Sequence, residues 1–328
     1  MRAVSEGRRY VTRCVPGLIS LLGGCAVSDV VSLSPTRLAT YATCPRQYDF
    51  SYAQDVSSPD ETKFYMYQGR VYHETIEAVC EQTGRDDDAM TIYERALDAF
   101  DEKWHEHVDP DEYASTAHQE YQRRENLAGI KAFFDPEGGV GLEHARTSVA
   151  TEKWVECERD GLGLHGYTDN VLREGDTLHL VDYKRTVRGV LGEWSADRLV
   201  EHLEHEAHEA KRVKNAFQTA AYVEGIKDSS LYEPEMTVRF SFYGLLHSTD
   251  VESTPTGYEI AAGGRQRETT GAYEEYHDTI WALIEAAHDG ITSEAYHPEP
   301  FELIREEACG DCEYREMCPD YLTPEVQQ

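Results

Sequence analysis

Two short apolar-rich runs flank a single turn. Leu164–Arg173 and Thr177–Lys184 are rich in Leu, Val, Tyr and Thr, with Glu174-Gly175-Asp176 between them, which predicts a β-hairpin. With Gly175-Asp176 as a two-residue loop, glycine first as a type II′ turn prefers, Glu174 pairs with Thr177. That register carries Asp169 opposite Asp182. Like charges facing each other across a ladder repel unless something neutralises them. Lys184 follows Asp182 by two residues, on the same face of its strand. Two carboxylates converging beside one lysine suit a divalent metal site with a cation at its edge. An ordinary amphipathic hairpin with its charges in solvent is the competing reading. Against it, Leu178-His179-Leu180-Val181 is apolar on both faces, which predicts a central strand, and buried acids need a partner or an ion. A register slip of one residue would separate the acids.

The rest of the chain alternates between helical and extended periodicity. Ser34-Pro35 is an N-cap and first-turn pair opening a helix that ends at Cys44-Pro45. Apolar spacing predicts helices over Phe64–Thr83, Thr91–Val108 and Tyr113–Phe134, the last two lying in a helical insertion that spans residues 84–146. Thr147–Glu156 reads as a strand containing Glu152, Ala196–Gly225 as one long helix, Met236–Ser248 and Tyr258–Ala262 as strands, and Gly271–Asp289 as an amphipathic helix. The pattern predicts an α/β fold, with one domain over 32–328.

The charge alters this picture. The chain has 328 residues and sets 31 Lys+Arg against 62 Asp+Glu, for a net charge of −31, and only eight of the bases are lysines. A hydrophobic content of 40% argues against disorder. So acidic and lysine-poor a surface suggests solubility at high salt, a halophilic trait. Phosphate binding runs on local Lys and Arg, so any nucleic-acid surface must be a local basic patch. Lys184-Arg185-Thr186-Val187-Arg188 and Lys211-Arg212-Val213-Lys214 are the candidates.

Eight cysteines are too few for a disulfide scaffold of this length. Cys309, Cys312 and Cys318 form a C-x-x-C-x-x-x-x-x-C-P cluster over 301–320, offering three soft ligands for a metal or an iron–sulfur cluster in a reducing compartment. Residues 1–31 carry Arg8-Arg9, a short apolar run and Cys25. They resemble a twin-arginine leader with a lipoprotein-type cysteine, but a non-structural extension or a start assigned too early is the favoured reading. No segment approaches the ~20 apolar residues of a membrane span. The expectation is a cytoplasmic protein without a membrane partner.

Gly166-x-x-Asp169 followed by Asp182-x-Lys184 resembles the signature of the PD-(D/E)XK nucleases in their RecB-like exonuclease branch. Cys44-Pro45-Arg46-x-Tyr48-x-Phe50 before it and the terminal cysteines after it resemble the AddB-like and CRISPR-associated members that hold a 4Fe–4S cluster. The resemblance covers roughly Ser32 to Asp320. It implies a mixed central sheet of the restriction-endonuclease-like type flanked by helices, with the cluster on Cys44, Cys309, Cys312 and Cys318 stapling the two ends together. It further implies Mg²⁺ or Mn²⁺ on His73, Asp169, Asp182 and the main-chain carbonyl of Tyr183, with His73 in a Gly69-x-x-x-His73 motif. Lys184 would orient or deprotonate the water, Gln218-x-x-x-Tyr222 would hold the strand, and Glu152 stands where the family often keeps another acid. The activity implied is a DNA-repair exonuclease on single-stranded DNA or DNA ends. The alternatives are the same chemistry in CRISPR spacer acquisition beside an integrase, and a silent DNA-binding subunit of a helicase–nuclease. The intact Asp182-x-Lys184 argues against the last.

Overall fold

The computed structural model describes residues 31–58, 64–190, 192, 197–255 and 257–322. The twin-arginine run and Cys25 lie outside them. In order, the elements are β1 (Val31–Leu33), α1 (Pro35–Thr43), α2 (Pro45–Tyr48), α3 (Phe64–Gln82), α4 (Ala89–His107), α5 (Thr116–Phe133), α6 (Val140–Thr147), β2 (Ser148–Arg159), β3 (Leu162–Glu174), β4 (Thr177–Lys184), α7 (Arg198–Leu203), α8 (Ala210–Lys227), β5 (Thr237–Thr254), β6 (Gly257–Glu268), α9 (Thr270–Glu275), α10 (His277–Thr292), α11 (Phe301–Glu307) and α12 (Pro319–Leu322). The strands form one mixed six-stranded sheet in which β1, β3, β4, β5 and β6 are successive neighbours and β2 pairs with β3. β1–β3 and β4–β5 are parallel, while β2–β3, β3–β4 and β5–β6 are antiparallel. This is the mixed α/β arrangement expected, with helices on both faces of the sheet.

Alternation along β4 explains the two layers. Leu178 and Leu180 enter a core shared with α1, α8 and α10, while Val181 and Tyr183 enter a second core shared with α3, α4, α5 and α6. A strand buried on both faces is the central strand its apolar run predicts. The turn also forms as expected: Glu174 pairs with Thr177, and Gly175 takes a φ of +65°, as the first position of a type II′ turn requires.

Three expectations are corrected. The helix over Ala196–Gly225 is two, because α7 stops at Leu203 and α8 begins at Ala210. Between them His205 adopts a φ of +59°, and the Glu209 N–H donates to His202 Nδ1 at 2.9 Å. The stretch His202–Glu209 is almost entirely charged or imidazole, and it lacks the spaced apolar residues that would dock a continuous helix. The helix over Gly271–Asp289 likewise breaks at Tyr276 into α9 and α10. The β5–β6 hairpin outruns the predicted strands, pairing to Thr254↔Gly257, because its outer half is solvated and carries no apolar alternation to read. The short helix α6 had no counterpart in the sequence pattern.

His144 on α6 lies under β4, 4% exposed, with Nδ1 hydrogen-bonded to Tyr183 Oη at 2.9 Å. Burial, helped by nearby His179, pushes its pKa down to about 3. The unfolded chain therefore takes up a proton near pH 6.5 that the folded one refuses. Stability from this site is complete above about pH 6.5 and is lost as pH falls toward 3. Thermal melts should show His144→Gln flattening that acid limb; an unchanged limb would show that His144 is not its source.

Candidate active site

The site lies where β3 changes partners. β2 pairs with β3 from Arg159↔Leu162 to Ser148↔Leu172 along one edge. β1 and β4 must then share the other edge, where β1 takes Leu162–Leu164 and β4 takes Asn170–Glu174. His165–Asp169 is left between them, and β4 departs from β3 after Val181↔Asn170. The register is the expected one, but its ladder stops one rung before the two acids. Asp169 and Asp182 therefore flank a splay and do not face each other in a ladder.

The freed edge is satisfied by side chains. Tyr183 N–H donates to Asp169 Oδ2 at 2.6 Å, and His73 Nδ1 on α3 lies 3.1 Å from the same oxygen. Lys184 Nζ lies 2.6 Å from Asp182 Oδ1, and Gln218 Nε2 on α8 donates to Asp182 Oδ2 at 3.3 Å. The two acids are pushed apart in pKa. Burial is the largest influence on Asp182 and raises it, with Asp169 adding to the rise and Lys184 opposing it. Burial also works against an ionised Asp169, but His73 and the Tyr183 N–H outweigh it and lower that pKa. Burial opposes charge on His73 too, yet Asp169 and Asp182 raise it to about 9. Lys184 is raised as well, its burial outweighed by Asp182 and Asp169.

Glu152 joins this group. It sits in β2 between Thr151↔Asn170 and Lys153↔Thr168, hence across from Asp169. Its φ is +43°, a left-handed conformation that costs a non-glycine residue on the order of 1 kcal/mol or more. That twist aims its carboxylate at the others: ligand atoms of His73, Glu152 and Asp169 lie within 4.8 Å of one another. Partial burial first, then Asp169 and Glu77, raise Glu152 to about 7. The sequence pattern places Glu152 in a strand and the family resemblance alone points to it; its register opposite Asp169 is what brings it to the site.

Gln218 and Tyr222 are 7% and 6% exposed, so neither presents a surface to a strand. Tyr222 packs on Phe240 with ring centroids 5.3 Å apart, and a Cβ on Gly166 would stand 2.9 Å from its ring. Gly166 is thus a glycine because Tyr222 needs its space, which ties the G-x-x-D and Q-x-x-x-Y patterns together. Lys214, one turn before Gln218, has its pKa lowered by burial and then by Lys184.

Residues 32–319 match the model of the PD-(D/E)XK nuclease superfamily. The chain belongs to that superfamily. It is therefore a nuclease of a phosphodiester-hydrolase class whose members use divalent metals. The donors of this nuclease suit such ions, since imidazole and carboxylate groups crowd one point without a thiolate. A crystal structure from Eubacterium rectale, named as a candidate exonuclease, is similar at 12% identity and a TM-score of 0.39, covering 83% of this chain and 88% of that one. No curated protein matches. Among the described residues, no helix is long and apolar enough to cross a membrane.

Cys44, Cys309, Cys312 and Cys318 line one apolar pocket with Phe50 and Tyr314. Burial raises the Cys44 thiol to about 12, with smaller contributions from Cys312 and Cys309. Arg46 Nε donates to Asp320 Oδ2 at 2.7 Å and its Nη1 to Asp49 Oδ2 at 2.9 Å, so the two ends of the fold are also joined by an ion pair.

Proposed function

We propose that the chain is a Mg²⁺- or Mn²⁺-dependent deoxyribonuclease acting on single-stranded DNA or DNA ends. The observation that carries this is the convergence of His73, Glu152 and Asp169 beside the Asp182–Lys184 pair. His73, Asp169 and Asp182, with the carbonyl of Tyr183 and now Glu152, would hold the metal. When bound, the metal supplies a lowered pKa for water and neutralises charge on the phosphoryl transition state. Gln218 fixes the carboxylate of Asp182, and Tyr222 packs against the stretch of β3 at Gly166 that leads to Asp169; both are positioning residues. Lys184, held protonated by two acids, donates to the attacking water or to a phosphate oxygen. It can act as a base only once its pairing with Asp182 is broken. The preference for single strands and ends, a role in repair, and helicase or integrase partners rest on the family resemblance.

The test is release of nucleotides from labelled single-stranded DNA with Mg²⁺ or Mn²⁺ and its absence with EDTA; cleavage unaffected by EDTA would overturn the metal-dependent reading. Lys184→Ala should lower kcat on the order of 10²-fold with little change in metal affinity. A variant that keeps full kcat would remove Lys184 from the chemistry.

We further propose that the four cysteines hold a 4Fe–4S cluster with a structural role. What supports a shared site is that Cys44, from the start of the fold, lines one apolar pocket with Cys309, Cys312 and Cys318, and the choice of a 4Fe–4S cluster over a single zinc rests on the family resemblance.

A further inference from the structure

Arginines in this acidic chain ordinarily find a carboxylate. Arg46, Arg95, Arg123, Arg146, Arg185, Arg212 and Arg239 all do. Arg188, Arg265 and Arg267 are among the arginines that depart from that habit, and they stand apart from the others in lying together. Among the described residues none of the three has an acidic partner, although 62 acids are available against 31 bases. They gather around one residue: Arg188 Nη2 donates to His247 O at 3.3 Å, and Arg265 Nη1 lies 3.4 Å from His247 Nε2. After burial, the three guanidiniums together depress the His247 pKa, Arg265 most. Arg267 Nε is shielded from solvent without a hydrogen-bond partner. Glu268, the adjacent acid on β6, is engaged by Arg239 at 2.6 Å.

Three like charges held together repel one another unless an anion visits them. The sheet places them beside the site. Asp182 pairs with Phe242 and Phe242 with Arg267; Lys184 pairs with Gly244 and Gly244 with Arg265. Two strand spacings are roughly 10 Å. Arg265 and Arg267 alternate in phase, so they share a face. Gly244 brings in the third arginine, because a Cβ there would stand 2.7 Å from Val187 N; the segment carrying Arg188 crosses β5 at contact distance. Lys211, whose Nζ lies 3.4 Å from where a Gly189 Cβ would be, extends the positive surface toward α8.

We infer that Arg188, Arg265 and Arg267 form an anchor for the DNA backbone, holding a phosphate next to the one at Asp169 and Asp182. The inference rests on the nuclease reading for its ligand, and it explains how a chain of net charge −31 holds a polyanion. Binding energy is confined to one short positive patch, while the remaining surface repels the strand and limits non-productive binding.

The test is fluorescence anisotropy with a labelled single-stranded oligonucleotide in EDTA, over a range of salt. Each of Arg188→Gln, Arg265→Gln and Arg267→Gln should weaken binding on the order of tenfold. Each should also reduce the slope of log affinity against log salt by about 0.7. Arg265→Lys should restore the slope, and Arg124→Gln, an exposed arginine paired with Glu120, should change neither quantity. Unchanged affinity and slope in the triple variant would overturn the anchor even if the protein cleaves DNA normally. Arginine-dependent binding in a protein that never cleaves with Mg²⁺ or Mn²⁺ would instead sink the nuclease reading and leave the anchor standing.

Discussion

Asp182→Ala should abolish metal-dependent cleavage of single-stranded DNA while leaving the fold and the iron content intact. The carboxylate is 3% exposed at the residue level, held between Lys184 Nζ at 2.6 Å and Gln218 Nε2 at 3.3 Å. Its removal takes away a proposed metal ligand and the counter-charge of Lys184 together. Lys184 is itself part-exposed, so the freed ammonium can reach water, and the cost to folding stays within what circular dichroism and a melt can control for. Asp169→Asn separates the functions further. The amide oxygen still accepts from the Tyr183 N–H, so the splay survives, but the negative charge beside His73 is gone. That variant should be folded, inactive, and weak in Mn²⁺ binding. Normal cleavage by either protein would end the assignment of these acids.

Cys44→Ser should cost the protein its iron and loosen both ends of the fold. Cys44 ends α1, whereas Cys309, Cys312 and Cys318 follow α11, so a shared cluster closes a loop that contains almost the whole nuclease. Closing so long a loop restricts the unfolded chain, although the effect grows only slowly with length. Because no site exists in the unfolded chain, cluster binding is itself folding free energy. Losing about 2 kcal/mol or more should lower the Tm by about 3 °C or more in a chain of this size. Limited proteolysis should then release segments around Cys44 and Tyr314, while Mn²⁺ binding near Asp182 persists. The wild-type protein, purified without oxygen, should be brown with about four irons per chain. A colourless protein with a single zinc would remove the cluster and leave the nuclease standing.

The sheet order explains why both halves of the molecule matter to one site. β3 supplies Asp169, β4 supplies Asp182 and Lys184, β2 supplies Glu152, and β6 is two strands away with Arg265 and Arg267. The helices contribute His73 from one face and Gln218 from the other. Asp182, lying between them, couples the two cores that bury Leu180 and Tyr183.

Local chemistry in the chain determined a good part of this. Gly175 as the first residue of a two-residue turn dictates the register of β3 against β4, since a loop of that length leaves Glu174 to pair with Thr177. Ser34-Pro35 starts α1 for the same reason: the Ser34 hydroxyl accepts from the Arg37 N–H at 3.4 Å. The central position of β4 was legible in its unbroken apolar run. Tertiary structure alone decided the rest. The ladder ends at Asn170↔Val181 because β1, far away in sequence, occupies the same edge of β3, and no pattern within the hairpin carries that information. Glu152 turns toward Asp169 through a left-handed residue that local preference disfavours, so only the surrounding strands hold it there. Arg188, Arg265 and Arg267 come together through strand pairing across β5, and nothing in their spacing along the chain announces it. Turn chemistry and side-chain alternation act over a few residues and can be read from them, whereas competition for an edge and the convergence of charges are properties of the folded sheet.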